Sequence, residues 1–277
     1  MYILDFGEIV EMLTKTERLH KFRKKVRHRI FSKVESSVPV FVGGEQRSGT
    51  NFLTEVLNRC VETNCFLEND DEAFDNYMLR DLERIKSLTS ASRAKITVFK
   101  SISDSQNIST IFKILPNAKI IWAFRQYPDV VNSSVRNFTE HRKYLYYMLH
   151  EPTIARWRLQ NVTDEDLALV RYHYDRGVDD ASSRALIWYL RNSLFFQQGL
   201  DKRPNVIITK YEELVTKPAE QFEKVYRFLG LQSDRQASEI ASTGSLNKNP
   251  PPVIDDDITE LCNSVYARLD ACYQQQS

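Results

Sequence analysis

The chain has 277 residues, of which 42% are hydrophobic and 27% are charged, and its formal net charge is +1. This composition is typical of a globular protein with a large core, and the balanced charge argues against a nucleic-acid-binding protein. No apolar run approaches the roughly 20 residues of a membrane span, and the N-terminal residues lack the apolar core of a signal peptide. Four cysteines without metal-type or disulfide-type spacing predict free thiols, so we expect one cytoplasmic domain over residues 1–277.

The first 31 residues predict an amphipathic helix, because their apolar residues recur at helical spacing. Within this helix, residues 21–29 are strongly basic. The simplest interpretation of the basic run is a solvated helix face. A peripheral contact with an anionic membrane or a glycan is the alternative.

The most informative stretch of the sequence covers residues 38–53. It opens with a Val- and Phe-rich run that predicts a buried strand, followed by two glycines, a polar turn and a helical period from Thr50. A strand, a glycine-containing loop and a helix N-terminus together predict an anion-binding cradle, because backbone N–H groups and the helix dipole converge there. A glycine turn without a ligand is the alternative.

The loop differs from the phosphate loop of nucleotide triphosphatases at its key positions. Gly44 and Gly49 have the separation of the two loop glycines, but Thr50 stands in place of the lysine and Asn51 in place of Ser or Thr. Arg47 supplies the positive charge instead. The strand predicted over residues 119–124 is followed by an arginine rather than by a carboxylate that could hold Mg²⁺. The sequence therefore predicts a phosphate-like ligand that is handled without a metal.

An acidic stretch and a lysine mark the next part of the chain. Residues 68–75 hold five carboxylates, which are too many to be buried as a block. They form either an exposed loop before a helix near 77–85, or a loop from which one carboxylate reaches the anion site as a general base. Lys100 follows a strand predicted over 96–99, at the strand end where open α/β sheets bind ligands.

A second strand-to-helix junction resembles the first in its chemistry. After a helix near 108–115 and the strand at 119–124, Arg125 leads into a helix that carries Ser133. An arginine at a strand end with a serine on the following helix is a second possible phosphate site. We expect Val135 and Phe138 of this helix to pack against the core.

The remaining sequence completes the fold prediction. Residues 139–180 predict an irregular aromatic insertion that sets acceptor specificity, and a helix at 182–198, a strand at 206–209 and a final helix from 255 follow. Thr216 is a plausible N-cap of the helix between this strand and the final helix. Buried strands that alternate with helices predict a three-layer α/β sandwich with a parallel sheet of about four to five strands and a P-loop-like arrangement.

Three segments, at residues 43–50, 120–133 and 210–231, resemble the sulfotransferases that use 3′-phosphoadenosine 5′-phosphosulfate (PAPS), and they occur in the order of that family. The likeness is greatest to bacterial sulfotransferases of unassigned acceptor and more distant to the tyrosylprotein branch. The resemblance implies PAPS as donor, adenosine 3′,5′-bisphosphate as product, a hydroxyl-bearing acceptor and no metal.

The resemblance also implies roles for individual residues. Arg47, Lys100 and Glu68 would be catalytic, with Glu68 as the base and Glu72 as its alternative. The implied donor-binding residues are Gly44, Gln46, Arg47, Ser48, Gly49, Thr50, Asn51, Arg125, Ser133, Tyr211 and Lys248.

Two other functions remain compatible with the sequence. A kinase-like phosphotransferase would turn over ATP with Mg²⁺, and a non-catalytic protein would bind the nucleotide without transfer. The acceptor stays open among sugars, lipids and small-molecule alcohols or phenols.

Overall fold

A five-stranded parallel sheet lies at the centre of the computed structural model, which describes residues 36–138, 140–151, 153, 155–232 and 250–276. The helix expected over residues 1–31, its basic run at 21–29 and Lys248 lie outside the described residues. The strands of the sheet are β1 (Val38–Gly44), β2 (Thr63–Phe66), β5 (Ile96–Lys100), β6 (Lys119–Phe124) and β7 (Val206–Lys210), and a short hairpin is formed by β3 (Phe74–Asp75) and β4 (Met78–Leu79).

The strand order of the sheet is β2-β5-β1-β6-β7, so β1 is the central strand. Alternate residues of each strand point to opposite faces, and both faces are buried. One face carries large side chains such as Phe41, Phe99 and Trp122, whereas the other carries Val40 and Val98. Continuous apolar strands of this kind require helices on both sides.

Helices cover the two faces of the sheet. The α-helices of the described chain are α1 (Thr50–Arg59), α2 (Leu82–Ala91), α3 (Tyr127–Asn137), α4 (His141–His150), α5 (Asp164–Asp175), α6 (Asp180–Gln197), α7 (Tyr211–Thr216), α8 (Pro218–Leu229) and α9 (Asp256–Gln275). Helices α3, α4, α6 and α9 pack on the face that carries Trp122, and α1 and α8 pack on the other face. The 3₁₀ segments are Ile102–Lys113, Arg156–Leu159 and Leu200–Lys202.

The α6 helix is the most deeply buried helix segment next to the sheet. Asp179 caps its N-terminus by accepting a hydrogen bond from the backbone N–H of Ser182 at 2.7 Å. The helix ends before Gly199, which has a left-handed φ of 64°. This stop was predicted from the sequence. The predicted three-layer α/β architecture with a parallel sheet is likewise confirmed.

Several predicted elements were wrong in detail. The fifth strand, β2, was not predicted. The helix expected near 77–85 begins at Leu82, because Asp81 caps it through the Arg84 N–H. The helix expected near 108–115 is the 3₁₀ segment Ile102–Lys113. Residues 139–180 are not irregular, since they contain α4 and α5.

Three side chains also differ from their predicted roles. Val135 and Phe138 are 39% and 53% exposed rather than packed in the core. Thr216 is not an N-cap, because it is the last residue of α7 and its hydroxyl donates to the backbone oxygen of Glu212. Helix α8 starts instead at Pro218, whose fixed φ suits the first helical turn.

Candidate active site

The carboxyl ends of the parallel strands meet at one edge of the sheet, and a cleft of about 530 Å³ lies there. Such edges are the usual ligand sites of open α/β sheets. Each strand contributes to the cleft through residues at its carboxyl end or in the segment just after it. The cleft is lined by these residues that the sequence predicted: Gln46, Arg47, Gly49, Thr50, Asn51, Glu68, Lys100, Arg125, Ser133 and Tyr211.

Gly44 and Gly49 fix the shape of the loop between β1 and α1. Gly44 has a φ of 126°, and a Cβ there would lie 2.2 Å from the backbone oxygen of Ala123 on β6. Gly49 has a φ of 84°, and a Cβ there would lie 2.2 Å from the ring of Tyr211. Both positions therefore require glycine, for conformation and for space. Gly44 lies behind the cleft, where its N–H donates to the Ser105 hydroxyl at 3.0 Å.

The N-terminus of α1 presents polar groups at the loop. The helix begins after Gly49 without a side-chain cap and without an acidic residue in its first turn. Its first N–H groups and its dipole therefore suit an anion. The Ser48 side chain is fully buried, and its hydroxyl has no hydrogen-bond partner among the described residues. Ser48 does not line the cleft, but its unsatisfied hydroxyl next to the helix N-terminus is a donor that suits a phosphate-like group.

The two predicted phosphate sites are in direct contact. The Arg47 Nε donates to the Ser133 hydroxyl at 2.8 Å, so the loop after β1 contacts helix α3. Arg125 is 5% exposed and forms an ion pair with Asp129 at 2.9 Å. Its guanidinium lies 4.4 Å from the centre of the Tyr211 ring, a cation–π contact. These contacts hold two arginines on one side of the cleft.

On the other side of the cleft, Glu68 and Lys100 form an ion pair with a distance of 2.7 Å between Oε2 and Nζ. Their side chains are 16% and 13% exposed. The pair forms because β2 and β5 are neighbours with Phe66 opposite Phe99, so both chains leave the sheet side by side. Glu72, the alternative base, is exposed and does not line the cleft.

Asp104 is a charged residue near this pair that sequence reasoning missed. The pKa of the Asp104 carboxyl is raised to about 6, chiefly by burial and to a smaller extent by the charge of Glu68, while a hydrogen bond from the Leu79 N–H and the charges of Arg191 and Arg158 act in the opposite direction. The hydrogen bond from Leu79 measures 2.9 Å and fixes the β3–β4 hairpin to the 3₁₀ segment behind Lys100. No local pattern in the sequence distinguishes this aspartate from a surface residue.

Sequence reasoning also missed a buried charge cluster formed by Glu45, Arg184 and Arg191. Glu45 is 4% exposed and accepts from Arg184 Nη2 at 2.7 Å and from Arg191 Nε at 3.2 Å. Arg184 and Arg191 lie seven residues apart on α6, which places them on the same helix face. Two arginines seven residues apart on the mainly apolar, buried face of a helix are the sequence pattern that could have indicated this buried cluster.

Within the described ranges, no group of three or more His, Cys, Asp and Glu side chains is arranged to hold a metal ion. In the same part of the chain, no helix is both long enough and apolar enough to cross a membrane.

A parallel sheet whose central strand runs into a glycine-containing loop and a helix N-terminus defines a P-loop-like α/β protein. A family model described as the sulfotransferase family matches residues 67–235, which is more than half of the chain. The chain therefore belongs to the sulfotransferase family. The matched range contains Glu68, Lys100, Arg125 and Ser133 and begins after the glycine-containing loop.

The chain is similar to several solved structures, three of which follow. The sulfotransferase domain from the curacin biosynthetic pathway has a TM-score of 0.52 at 12% identity, covering 84% of this chain and 99% of that domain. A sulfotransferase from Alicyclobacillus acidocaldarius has a TM-score of 0.48 at 17% identity, covering 87% and 95%. Mouse sulfotransferase SULT7A1 complexed with PAP has a TM-score of 0.43 at 16% identity, covering 90% and 87%. Among curated proteins, none matches the chain by sequence.

Proposed function

We propose that this protein transfers the sulfuryl group of PAPS to a hydroxyl group of an acceptor, without a metal ion. The observation that carries the proposal is that one cleft holds both the arginine-containing anion loop and the Glu68–Lys100 pair. Membership of the sulfotransferase family supports the type of group that is transferred.

The residues of the cleft suit a nucleotide with phosphate groups at two positions. The α1 N-terminus, the buried hydroxyl of Ser48 and Arg47 hold the 5′-phosphosulfate, because they offer N–H and O–H donors at the loop. Arg125 and Ser133 hold the 3′-phosphate, since a guanidinium binds phosphate with paired donors. Lys248, which we also assign to the donor, lies outside the described residues.

The reaction follows from the chemistry of these groups. Bound PAPS supplies a sulfuryl group on a good leaving group, the 5′-phosphate. Glu68 accepts the proton of the acceptor hydroxyl, and Lys100 holds the carboxylate in place through their 2.7 Å contact. Arg47 and Lys100 stabilise the negative charge that spreads over the transferring group and the leaving oxygen. Positioned donors thus perform the task that Mg²⁺ performs in phosphotransferases.

A thermal-shift measurement with adenosine 3′,5′-bisphosphate, compared with ADP and with Mg²⁺-ATP, tests the proposal. A ligand at about 100 times its dissociation constant adds about 2.7 kcal/mol to the free energy of unfolding. We expect this stabilisation with the bisphosphate and none with Mg²⁺-ATP. The opposite result would replace the sulfotransferase proposal by a kinase-like phosphotransferase, and bisphosphate binding without transfer to any acceptor would indicate a non-catalytic binding protein.

Two arginine variants sharpen the measurement. Arg47→Ala should remove the stabilisation by the bisphosphate, because Arg47 lines the cleft. Arg59→Ala is the matched control, since Arg59 is the last residue of α1, does not line the cleft, and forms its ion pair with the exposed Glu55. A full bisphosphate shift in Arg47→Ala would show that Arg47 does not bind the donor.

We also propose a cytoplasmic setting for the reaction and an acceptor that is not a nucleic acid. All four cysteines are free thiols, as expected for a reducing compartment. The balanced net charge of +1 supports a small-molecule, sugar or lipid acceptor rather than a polyanion.

A further inference from the structure

A second cavity of about 290 Å³ lies beside the donor cleft. The two spaces share Gln46 and Phe138 as lining residues, so a molecule seated in the second cavity borders the loop that carries Arg47. We propose that this cavity is the seat of the acceptor and that it selects an acceptor with a carboxylate on a compact apolar body. The inference rests on the sulfotransferase function proposed above.

Apolar side chains form one part of the cavity wall. Met148, Ile187 and the aromatic side chains of Tyr144 and Phe138 line it. Met148 and Ile187 are buried, and their surfaces suit a ring or a short hydrocarbon rather than a heavily hydroxylated sugar. The body of the acceptor is therefore apolar and small.

The remaining wall carries an excess of positive charge. Arg158, Arg184 and Arg191 line the cavity, and Glu45 is the one carboxylate among its described lining residues. Asp104 lies within electrostatic range of Arg158 and Arg191, and Asp180 within range of His141, but neither carboxylate lines the cavity. Uncompensated charge in a half-enclosed space favours a ligand of opposite sign.

The three arginines differ in the donors that they leave available. Each guanidinium nitrogen of Arg191 already has a partner: Nε donates to Glu45, Nη1 to the Gln106 side chain and the Arg158 backbone oxygen, and Nη2 to the Ile102 backbone oxygen. Arg184 binds Glu45 and the Ser134 hydroxyl, but its Nη1 is buried without a hydrogen-bond partner among the described residues.

Arg158 is half-buried, and the contacts of its guanidinium are with the rings of Trp157 at 4.7 Å and Tyr144 at 5.7 Å. Its N–H groups form no ion pair with a carboxylate within the described residues. One buried N–H of Arg184 and the guanidinium of Arg158 both line the cavity, and each can donate to a carboxylate oxygen.

His141 adds a hydrogen-bond acceptor to the same wall. One ring nitrogen of His141 bonds to the Ser134 backbone, and the other, Nε2, is buried without a hydrogen-bond partner among the described residues. Burial and the charge of Arg184 lower the pKa of His141, so the ring is neutral and Nε2 accepts a hydrogen bond. The cavity thus offers the unsatisfied donor of Arg184 to the carboxylate, and the unsatisfied acceptor of His141 to a hydroxyl or amide donor elsewhere on the acceptor molecule.

Equilibrium binding of two matched probes tests the inference. We would measure para-hydroxyphenylacetate and its uncharged amide by calorimetry, with and without saturating adenosine 3′,5′-bisphosphate. The two probes have the same ring and hydroxyl and differ in charge. We expect the acid to bind at least about tenfold more tightly than the amide, because only the acid pairs with the arginines.

Variants at Arg158 test whether the preference for the acid over the amide arises in this cavity. Arg158→Gln should bring the two affinities within about twofold of each other, and Arg158→Lys should restore part of the preference by returning the charge. Arg203→Gln is the control, because Arg203 also lies over an aromatic ring, Phe112 at 4.6 Å, but lines neither space. That variant should keep the full preference.

Three results would overturn the inference: equal affinities of the wild-type protein for acid and amide, no binding of either probe at millimolar concentration, or a preference that Arg158→Gln leaves intact. Binding of the bisphosphate shows whether a negative result concerns the carboxylate preference or the sulfotransferase function. Equal probe affinities in a protein that the bisphosphate stabilises would remove the carboxylate preference and leave the sulfotransferase proposal standing. A preference for the acid in a protein that does not bind the bisphosphate would remove the sulfotransferase proposal and leave the carboxylate preference of the cavity standing.

Discussion

At the scale of single residues, the Glu68–Lys100 pair carries the chemistry of the proposed reaction. Glu68→Gln keeps the size of the side chain and removes the base, so we expect transfer to fall by roughly 10²–10⁴-fold. Stabilisation by the bisphosphate should persist, since Glu68 contacts Lys100 rather than the loop. A coupled transfer assay and a thermal-shift measurement on the same protein check both expectations.

Glu72→Gln is the control for this substitution. Glu72 is exposed and outside the cleft, so its variant should transfer at the wild-type rate. If Glu68→Gln lost bisphosphate binding together with transfer, Glu68 would be a structural residue. If only Glu72→Gln lost transfer, the base would be Glu72.

Asp104 makes a prediction about stability and pH. Its pKa is raised from 3.8 to about 6 in the folded protein. A raised folded pKa means that the stabilising contribution is complete below about pH 4 and is lost as the pH rises through 6. One pKa unit corresponds to about 1.4 kcal/mol, so Asp104→Asn should increase the free energy of unfolding at pH 8 by up to about 3 kcal/mol. The asparagine can still accept from the Leu79 N–H.

Urea denaturation at pH 8 and pH 5 measures this effect. The gain from Asp104→Asn should fall to about half, a decrease of about 1.4 kcal/mol, at the lower pH, where the wild-type carboxyl in the folded state is mostly protonated. Asp81→Asn is the control, because Asp81 is an exposed N-cap and asparagine caps a helix about as well. A gain that did not change with pH would contradict the assignment of a raised pKa to Asp104.

Residues at strand ends could be predicted from the sequence, whereas residues that act through distant contacts could not. Arg47, Lys100 and Arg125 each follow or end a recognisable apolar strand, and the sheet brings such positions together. Glu45 and Asp104 sit in segments whose local pattern indicates exposure. Their burial depends on α6 and on the β3–β4 hairpin, which no local window contains.

At the scale of elements, the turn from β1 into the loop depends on Gly44. Gly44→Ala would place a Cβ 2.2 Å from the backbone oxygen of Ala123 at a φ of 126°. Because neither backbone can move without separating β1 from β6, we expect a loss of roughly 3 kcal/mol or more in the free energy of unfolding. Chemical denaturation of the variant measures it.

Gly177→Ala provides the comparison. Gly177 also has a positive φ, of 88°, but nothing lies within 4 Å of the added Cβ. That variant should lose only the cost of the left-handed backbone, about 1–2 kcal/mol. Equal losses at the two positions would mean that the contact with β6 is not the cause.

The elements that the sequence failed to predict share a physical reason. The β2 strand has four residues, Thr63–Phe66, and two of them are only partly buried at the sheet edge. A short edge strand has no continuous apolar run to reveal it. Helices α4 and α5 carry aromatic and charged residues on several faces, so their apolar period is weak, and their helical state depends on packing against α6.

At the scale of the whole molecule, the Glu45 cluster connects the loop after β1 to α6 and to the 3₁₀ segment after β5. Glu45→Gln would leave two buried guanidinium groups without their counter-charge. Removing one partner of a buried ion pair typically costs about 3–5 kcal/mol, and we expect a loss of that size. The free energy of unfolding in urea measures the loss.

Glu55→Gln is the matched control on the protein surface. Glu55 pairs with Arg59 at 2.7 Å, but both side chains are about half exposed. Exposed pairs contribute about 0–1 kcal/mol, so this variant should be nearly as stable as the wild type. A loss below about 1 kcal/mol in Glu45→Gln would mean that water or another group compensates the buried arginines.

The position of β7 in the chain has a consequence for synthesis. The other four strands of the sheet are complete at Phe124, and the other described residues that line the cleft all precede or include Phe138. Strand β7 and Tyr211, which follows it, come much later in the chain, after helices α4, α5 and α6. On the ribosome, β6 therefore has an unpaired edge until residue 210 emerges, and an open edge invites pairing with other chains. A nascent chain halted before Tyr211 has its anion loop and both arginines but lacks the ring that packs against Gly49 and Arg125. The proposed donor site is thus among the last parts of the sheet edge to form, and it becomes complete only when the fold can protect β6.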